Sequence, residues 1–226
     1  ITSYNFCQLL ARILYMDKKI SPFDALISEL EFGLEILLND NSKKIEQSKI
    51  KTDQKLTADE IKKSIQNIRV NHVGEVCAQG LYRGQAYFTK DKDIQKKLYS
   101  MCAEEENHLK LFNLRLKELK GHQSLLNPIW YTASFFLGAY AGINEKSWKM
   151  GFVEETEKQV KKHLDEYISL LPKKDTRSIA ILKDVAKDEE KHCQTAQSLG
   201  SVELPESTKL MMDNFSRIMK KISYYF

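Results

Sequence analysis

The chain has 226 residues, 42% of them hydrophobic, with nine glycines and four prolines, a balance that favours helices over a turn-rich β protein. Its 35 basic and 31 acidic side chains leave a formal charge of +4, and no domain-wide basic stripe appears, which argues against a nucleic-acid binder. The cysteines Cys7, Cys77, Cys102 and Cys193 are widely spaced with no CxxC pair, so a reducing compartment is expected rather than a disulfide framework.

Residues 1–17 read as an uninformative N-terminal extension, and 2–15 lack the cationic start and cleavage site of a signal peptide. Residues 18–56 hold a first helix and a polar linker. The helix is predicted over Pro22 to Leu38, capped by Ser21 with Pro22 at its first turn. Residues 39–56 are polar and aperiodic. A ferritin-sized helical domain is expected over 57–226. Its first long helix starts at the capping-box pattern Thr57-Ala-Asp-Glu60 and runs to about Phe88. After TKDKD (89–93) a second runs to about Lys120, with Gly121 as its terminator. A nearly charge-free stretch, Ser124 to Asn144, follows. Further helices are expected over Lys146 to Leu171, stopped by Pro172, and over Asp175 to Leu199, stopped by Gly200. A basic amphipathic helix, Pro205 to Tyr224, closes the chain. No strand is expected, and the class is all-α.

The second and fourth long helices carry Glu105-Glu-Asn-His108 and Glu189-Glu-Lys-His192. Each Glu-x-x-His puts a carboxylate and an imidazole on one helical face, one turn apart. An isolated copy means little in a Glu-rich chain, but the spacing makes these two a matched pair. If the first hairpin turns near residue 91, Glu75 lies 16 residues before the turn, and Glu105 and His108 lie 14 and 17 after it. If the second turns near 173, Glu157 lies 16 before it, and Glu189 and His192 lie 16 and 19 after it. Each triplet therefore sits at one level of its hairpin, roughly 24 Å from the turn.

Four carboxylates and two imidazoles at mid-bundle form the ligand set of ferritin-like di-iron proteins, with Glu from two helices and Glu-x-x-His from the other two. The four acids neutralise two divalent cations, and hard oxygen with imidazole suits iron or manganese. Without a cation, burying them would be very costly. The candidate metal ligands are thus Glu75, Glu105, His108, Glu157, Glu189 and His192, with bridging and terminal roles unassigned. Glu104 and Asp188, each four residues before a histidine, are candidates to accept an imidazole's second N–H. His163 and His72 are open between a role near substrate, a supporting role and none.

At these residues the sequence resembles the demethoxyubiquinone hydroxylase family. The resemblance rests on IRVNHVGEVCAQGLYRGQ (68–85) and GFVEETEKQVKKHLDEY (151–167). AEEENHL (103–109), LNPIWYTASFFLGAYAG (126–142) and KDEEKH (187–192) agree in order and spacing. SPFDALISELEFGL (21–34) looks like the start of bacterial members, and the match covers about Lys18 to Phe226. The resemblance implies two iron ions on the same six residues, with Glu154 and Glu155 as near competitors for Glu157. It implies O2-dependent hydroxylation of a polyprenyl demethoxyquinol in ubiquinone biosynthesis, with one oxygen atom entering the ring and the other leaving as water. Reducing equivalents would come ultimately from NADH. The chain has no Gly-rich dinucleotide fingerprint, so an external electron source is expected.

The stretch from Ser124 to Asn144 is long enough to span a bilayer, but a span would put the two hairpins on opposite sides and split the ligand set. It is expected instead to be an interfacial helix with Trp130, Tyr131, Phe135, Phe136 and Tyr140 as aromatic anchors, core packing being the alternative. The C-terminal helix is a second candidate membrane contact. The expected location is peripheral, on the cytoplasmic face of a bacterial inner membrane. Homo-oligomers and other ubiquinone-biosynthesis partners remain open. A ferritin- or rubrerythrin-like iron oxidase or store is the main alternative function, and a helical lipid-binding scaffold is the non-enzymatic one.

Overall fold

The computed structural model describes residues 22–38 and 55–226, and the described residues contain helices and no strand. The helices are α1 (Pro22–Leu38), α2 (Ala58–Phe88), α3 (Lys92–Glu118), α4 (Asn127–Gly142), α5 (Lys146–Leu170), α6 (Thr176–Ser198) and α7 (Glu206–Ser223). The proposed Ser21 cap and most of the polar linker (39–54) lie outside the described residues.

Local chemistry sets the helix ends. The Thr57 hydroxyl accepts from the Glu60 amide, and the Glu60 carboxylate accepts from the Thr57 amide, so the expected capping box forms. Asp91 caps α3 by accepting from the amides of Asp93 and Ile94. Gly200 ends α6 as expected: it takes φ 85°, and the Gly200 and Ser201 amides bond back to Gln197 and Ala196. The end of α3 differs from the expectation. Lys120, not Gly121, adopts the left-handed conformation (φ 59°), with the Lys120 and Gly121 amides bonded to Lys117 and Leu116. Gly121 serves a close approach instead, since a Cβ there would stand 2.7 Å from Ile65 Cγ2.

α2 pairs with α3, and α5 with α6, as antiparallel hairpins. Lys149 near the start of α5 donates to Thr89 at the end of α2 (2.8 Å), while Arg115 near the end of α3 donates to Asp175 in the α5–α6 turn (2.8 Å). α3 and α5 therefore run in the same direction. The chain must travel back along the bundle between them, and α4 makes that crossing. Its 16 residues rise roughly 24 Å, about the distance needed.

α4 runs parallel to α2 in close contact. A Cβ on Gly80, Gly84, Gly138 or Gly142 would collide with backbone of the facing helix, so four small residues allow the approach. This corrects part of the expectation for the apolar stretch. Tyr131 and Phe135 are fully buried and Trp130 nearly so; they are core residues, not interfacial anchors. Phe136 and Tyr140 do face outward, at 54% and 57% exposure. No described helix is long and apolar enough to cross a membrane.

α7 packs against α2 and α5. Met212 and Met219 turn inward, and Phe215 meets Trp130 edge-on at 5.9 Å between ring centroids. α1 is fastened through Glu29, which accepts from Arg83 (2.9 Å) and from the Tyr99 hydroxyl (2.9 Å). Two main apolar layers result, one around Tyr82, Leu98 and Phe152, the other around Phe112, Leu116 and Leu182. A buried polar group sits between them.

Candidate metal centre

Four helices meet at that level. α2 supplies Glu75, α3 supplies Glu105 and His108, α5 supplies Glu157, and α6 supplies Glu189 and His192; all six are 4% exposed or less. Ligand atoms of Glu75, Glu105, His108 and Glu189 lie within 4.8 Å of one another, and so do those of Glu105, Glu157, Glu189 and His192. The six predicted residues thus come together as two overlapping quartets, with Glu105 and Glu189 common to both. The competitors fall outside. Glu154 pairs with Lys158 (2.6 Å), and Glu155 accepts from Gln159 (2.8 Å).

Both imidazoles turn Nδ1 inward. His108 Nδ1 is 2.9 Å from Glu105 and 3.1 Å from Glu189, and His192 Nδ1 is 3.1 Å from Glu105 and 3.2 Å from Glu189. Their Nε2 atoms reach the two acids singled out in the sequence, but crosswise. His192 contacts Glu104 of α3 (3.0 Å), and His108 contacts Asp188 of α6 (3.5 Å). Each acid therefore steadies the histidine of the facing helix rather than the one four residues along its own.

The electrostatics are those of a site built for cations. Burial pushes Glu75 and Glu157 well above the ordinary carboxylate range, and the neighbouring Glu189 and Glu105 push further. Burial alone would lower His108, but hydrogen bonds to Glu105 and Glu189 lift it to about 12. His192 is raised in the same way by Glu105, Glu157 and Glu189. Protons thus stand in for positive charge. Glu105 Oε1 and Glu189 Oε1 are buried, each 3.1 Å from the Nδ1 of the histidine on the facing helix. Four buried carboxylates and two imidazoles, with Glu105 and Glu189 common to both quartets, fit a pair of hard divalent cations.

Sequence reading missed Tyr82, whose hydroxyl donates to Glu157 Oε1. The signal was present: Tyr82 is two turns beyond Glu75 on the same face of α2. It also missed a cleft with roughly 730 Å³ of free space, part of it open to solvent, between α2, α4, α5 and α7. Its walls are largely apolar, with Val70, Leu81, Leu137, Phe152 and Met212, and Glu75 is the one member of the two quartets that lines it. His163 also lines it, and burial holds its imidazole down to about 4. His72 is buried outside the quartets, with Nδ1 unpartnered and its pKa likewise lowered by burial to about 4.

Residues 62–223 match the family model described as ubiquinone biosynthesis protein COQ7. Over 214 residues the chain is 43% identical to the 3-demethoxyubiquinol 3-hydroxylase of Legionella pneumophila (strain Corby), covering 91% of this chain and 98% of that one. The enzyme of the same description from Chromobacterium violaceum is 42% identical over 202 residues, covering 89% of this chain and 98% of that one. Among solved structures, a dodecameric thioferritin, a bacterioferritin-related protein from Bacteroides fragilis, shares the fold. The TM-score is 0.51 at 21% identity, over 62% of this chain and 84% of that one.

Proposed function

Because the chain belongs to the ubiquinone biosynthesis protein COQ7 family, we propose that its two overlapping quartets hold a pair of iron ions for the hydroxylation its relatives are named for. The chain is an oxidoreductase that hydroxylates the ring of a demethoxyubiquinol with O2 in ubiquinone biosynthesis. The observation that carries the metal assignment is the sharing of Glu105 and Glu189 between both quartets. Glu105 and Glu189 would hold both ions, Glu75 and His108 one of them, and Glu157 and His192 the other.

Iron bound there would supply the activation of O2, one atom of which enters the ring while the other leaves as water. The chain's own residues do the rest. Glu104 and Asp188 fix the imidazoles with Nδ1 inward. Tyr82 holds the Glu157 carboxylate by donating to it. The largely apolar cleft leads a ring to the Glu75 end of the site. Two electrons per turnover come from an external source, ultimately NADH.

The outward face of the crossover supports a lipid surface as the source of the polyprenyl substrate. Leu125, Ile129, Ala133, Phe136, Tyr140 and Ile143 recur at three- and four-residue spacing, all exposed and all uncharged. Leu137, on the adjoining face of α4, lines the cleft. A tail lying in the membrane would therefore enter beside α4. The location this implies is peripheral, on the cytoplasmic face of a bacterial inner membrane, where the buried free thiols Cys77, Cys102 and Cys193 stay reduced.

The test is product analysis on purified protein given a demethoxyubiquinol analogue, reductant and O2. Two iron ions per chain and a ring one hydroxyl richer are expected. Glu157→Ala and Glu189→Ala should each lose iron and product together. Full hydroxylation by either variant would remove that residue from the ligand set, and product without bound iron would sink the metal assignment.

A further inference from the structure

A glycine inside a helix weakens it relative to alanine, so each such position needs a reason. Of the nine glycines, inside helices or just beyond their ends, eight have a steric or conformational reason. Gly80, Gly84, Gly138 and Gly142 let α2 and α4 touch, and Gly33, Gly121 and Gly151 each face a neighbour too close for a Cβ. Gly200 takes φ 85° at the end of α6. Gly74 alone has no such reason. It sits in the interior of α2, and a Cβ there would meet nothing within 4 Å.

The open space at Gly74 belongs to the apolar cleft. Asn71, Gly74, Ala78 and Leu81 follow one another up the cleft-facing side of α2, with Thr156 and Gln159 on the α5 side. Gly74 is the bare step in that row, and the next residue is Glu75, the ligand candidate that reaches the cleft. The missing side chain exposes helix backbone where a flat ring entering the cleft would come to rest.

We infer that Gly74 is a specificity-determining position: its missing side chain is the space taken by the substrate's quinol ring, which lies against the α2 backbone beside Glu75. The inference rests on the hydroxylase reading and adds the place where the ring binds. A methyl at position 74 would pack without strain in the free protein and collide only with the bound ring. Alanine should thus improve the fold and impair the reaction.

The experiment compares iron-loaded wild type, Gly74→Ala and Gly74→Leu with a short-tailed demethoxyubiquinol analogue. Iron content should be unchanged in both variants, and the thermal midpoint of Gly74→Ala should rise by about 2–4 °C. The kcat/KM should fall roughly 10- to 200-fold for alanine and further for leucine, chiefly through KM. An analogue with fewer ring substituents should lose less than the full ring. Wild-type kcat/KM in Gly74→Leu would overturn the inference and leave the hydroxylase reading intact. Loss of iron or of thermal stability in Gly74→Ala would also overturn it, by showing that the glycine serves Glu75 or the fold. Wild-type protein that binds iron but turns over no quinol would remove the hydroxylase reading, and this inference with it.

Discussion

At the residue scale, the six site residues are held by one another. Burial disfavours charge on Glu105, and its hydrogen bonds to His108 on its own helix and His192 on α6 keep it below the ordinary carboxylate range. The supporting acids make this arrangement testable. Glu104 reaches His192 at 3.0 Å and Asp188 reaches His108 at 3.5 Å, so each should be energetically coupled to the histidine of the other hairpin. Glu104→Ala should lower metal affinity by about 10–100-fold, measured by chelator competition, with Asp188→Ala weaker. In a double-mutant cycle Glu104→Ala should add little once His192 is gone and keep its full effect when His108 is gone. Coupling to His108 instead would show that the crossed contacts do not hold the imidazoles.

At the scale of the element, α4 has two faces with different work. The inner face is defined by glycines and by the buried rings of Tyr131 and Phe135, the outer one by exposed apolar side chains. Gly84→Leu forces a side chain into the backbone of α4, and should cost about 3 kcal/mol in urea unfolding. The pair Phe136→Asp and Tyr140→Asp lies outside the core and should change stability by no more than about 0.5 kcal/mol. The same pair should move the protein off phospholipid vesicles in a co-sedimentation assay. Continued vesicle binding would assign the lipid contact elsewhere, with α7 and its exposed Leu210, Met211 and Ile218 the next surface to test.

At the scale of the whole molecule, the site lies where the two hairpins face each other, so bound metal ties them together. Each hairpin contributes three of the six residues, and neither quartet is complete within one hairpin. A ligand bound only by the folded state stabilises it in proportion to the logarithm of its occupancy, about 4 kcal/mol when present at a thousandfold excess over its dissociation constant. Removing iron with a chelator should lower the thermal midpoint by roughly 10 °C, read by circular dichroism, with iron(II) restoring it. An unchanged midpoint would mean that the quartets do not hold metal in the folded protein.

What the sequence determined by itself is what depends on neighbours in the chain. The capping box at Thr57, the glycine at 200 and the breaks at 89–91 and 172–175 place the helix ends because those groups satisfy backbone atoms a few residues away. Equal offsets from two turns then put Glu75, Glu105 and His108 level, and Glu157, Glu189 and His192 level, because helix rise per residue is constant. Tertiary structure decided everything that depends on which face meets which. The central helix α2 buries Asn67, Arg69, His72, Gln79 and Arg83 as well as its apolar residues, so it has no single apolar stripe to read. Phe135 and Phe136 are neighbours of the same type in the chain, yet one is fully buried and the other more than half exposed. The crossed acids, the shared carboxylates and the space at Gly74 exist only once both hairpins and the crossover have docked. Contacts between helices depend on rotation about each axis, and a residue sequence constrains that rotation only through the packing of the whole bundle.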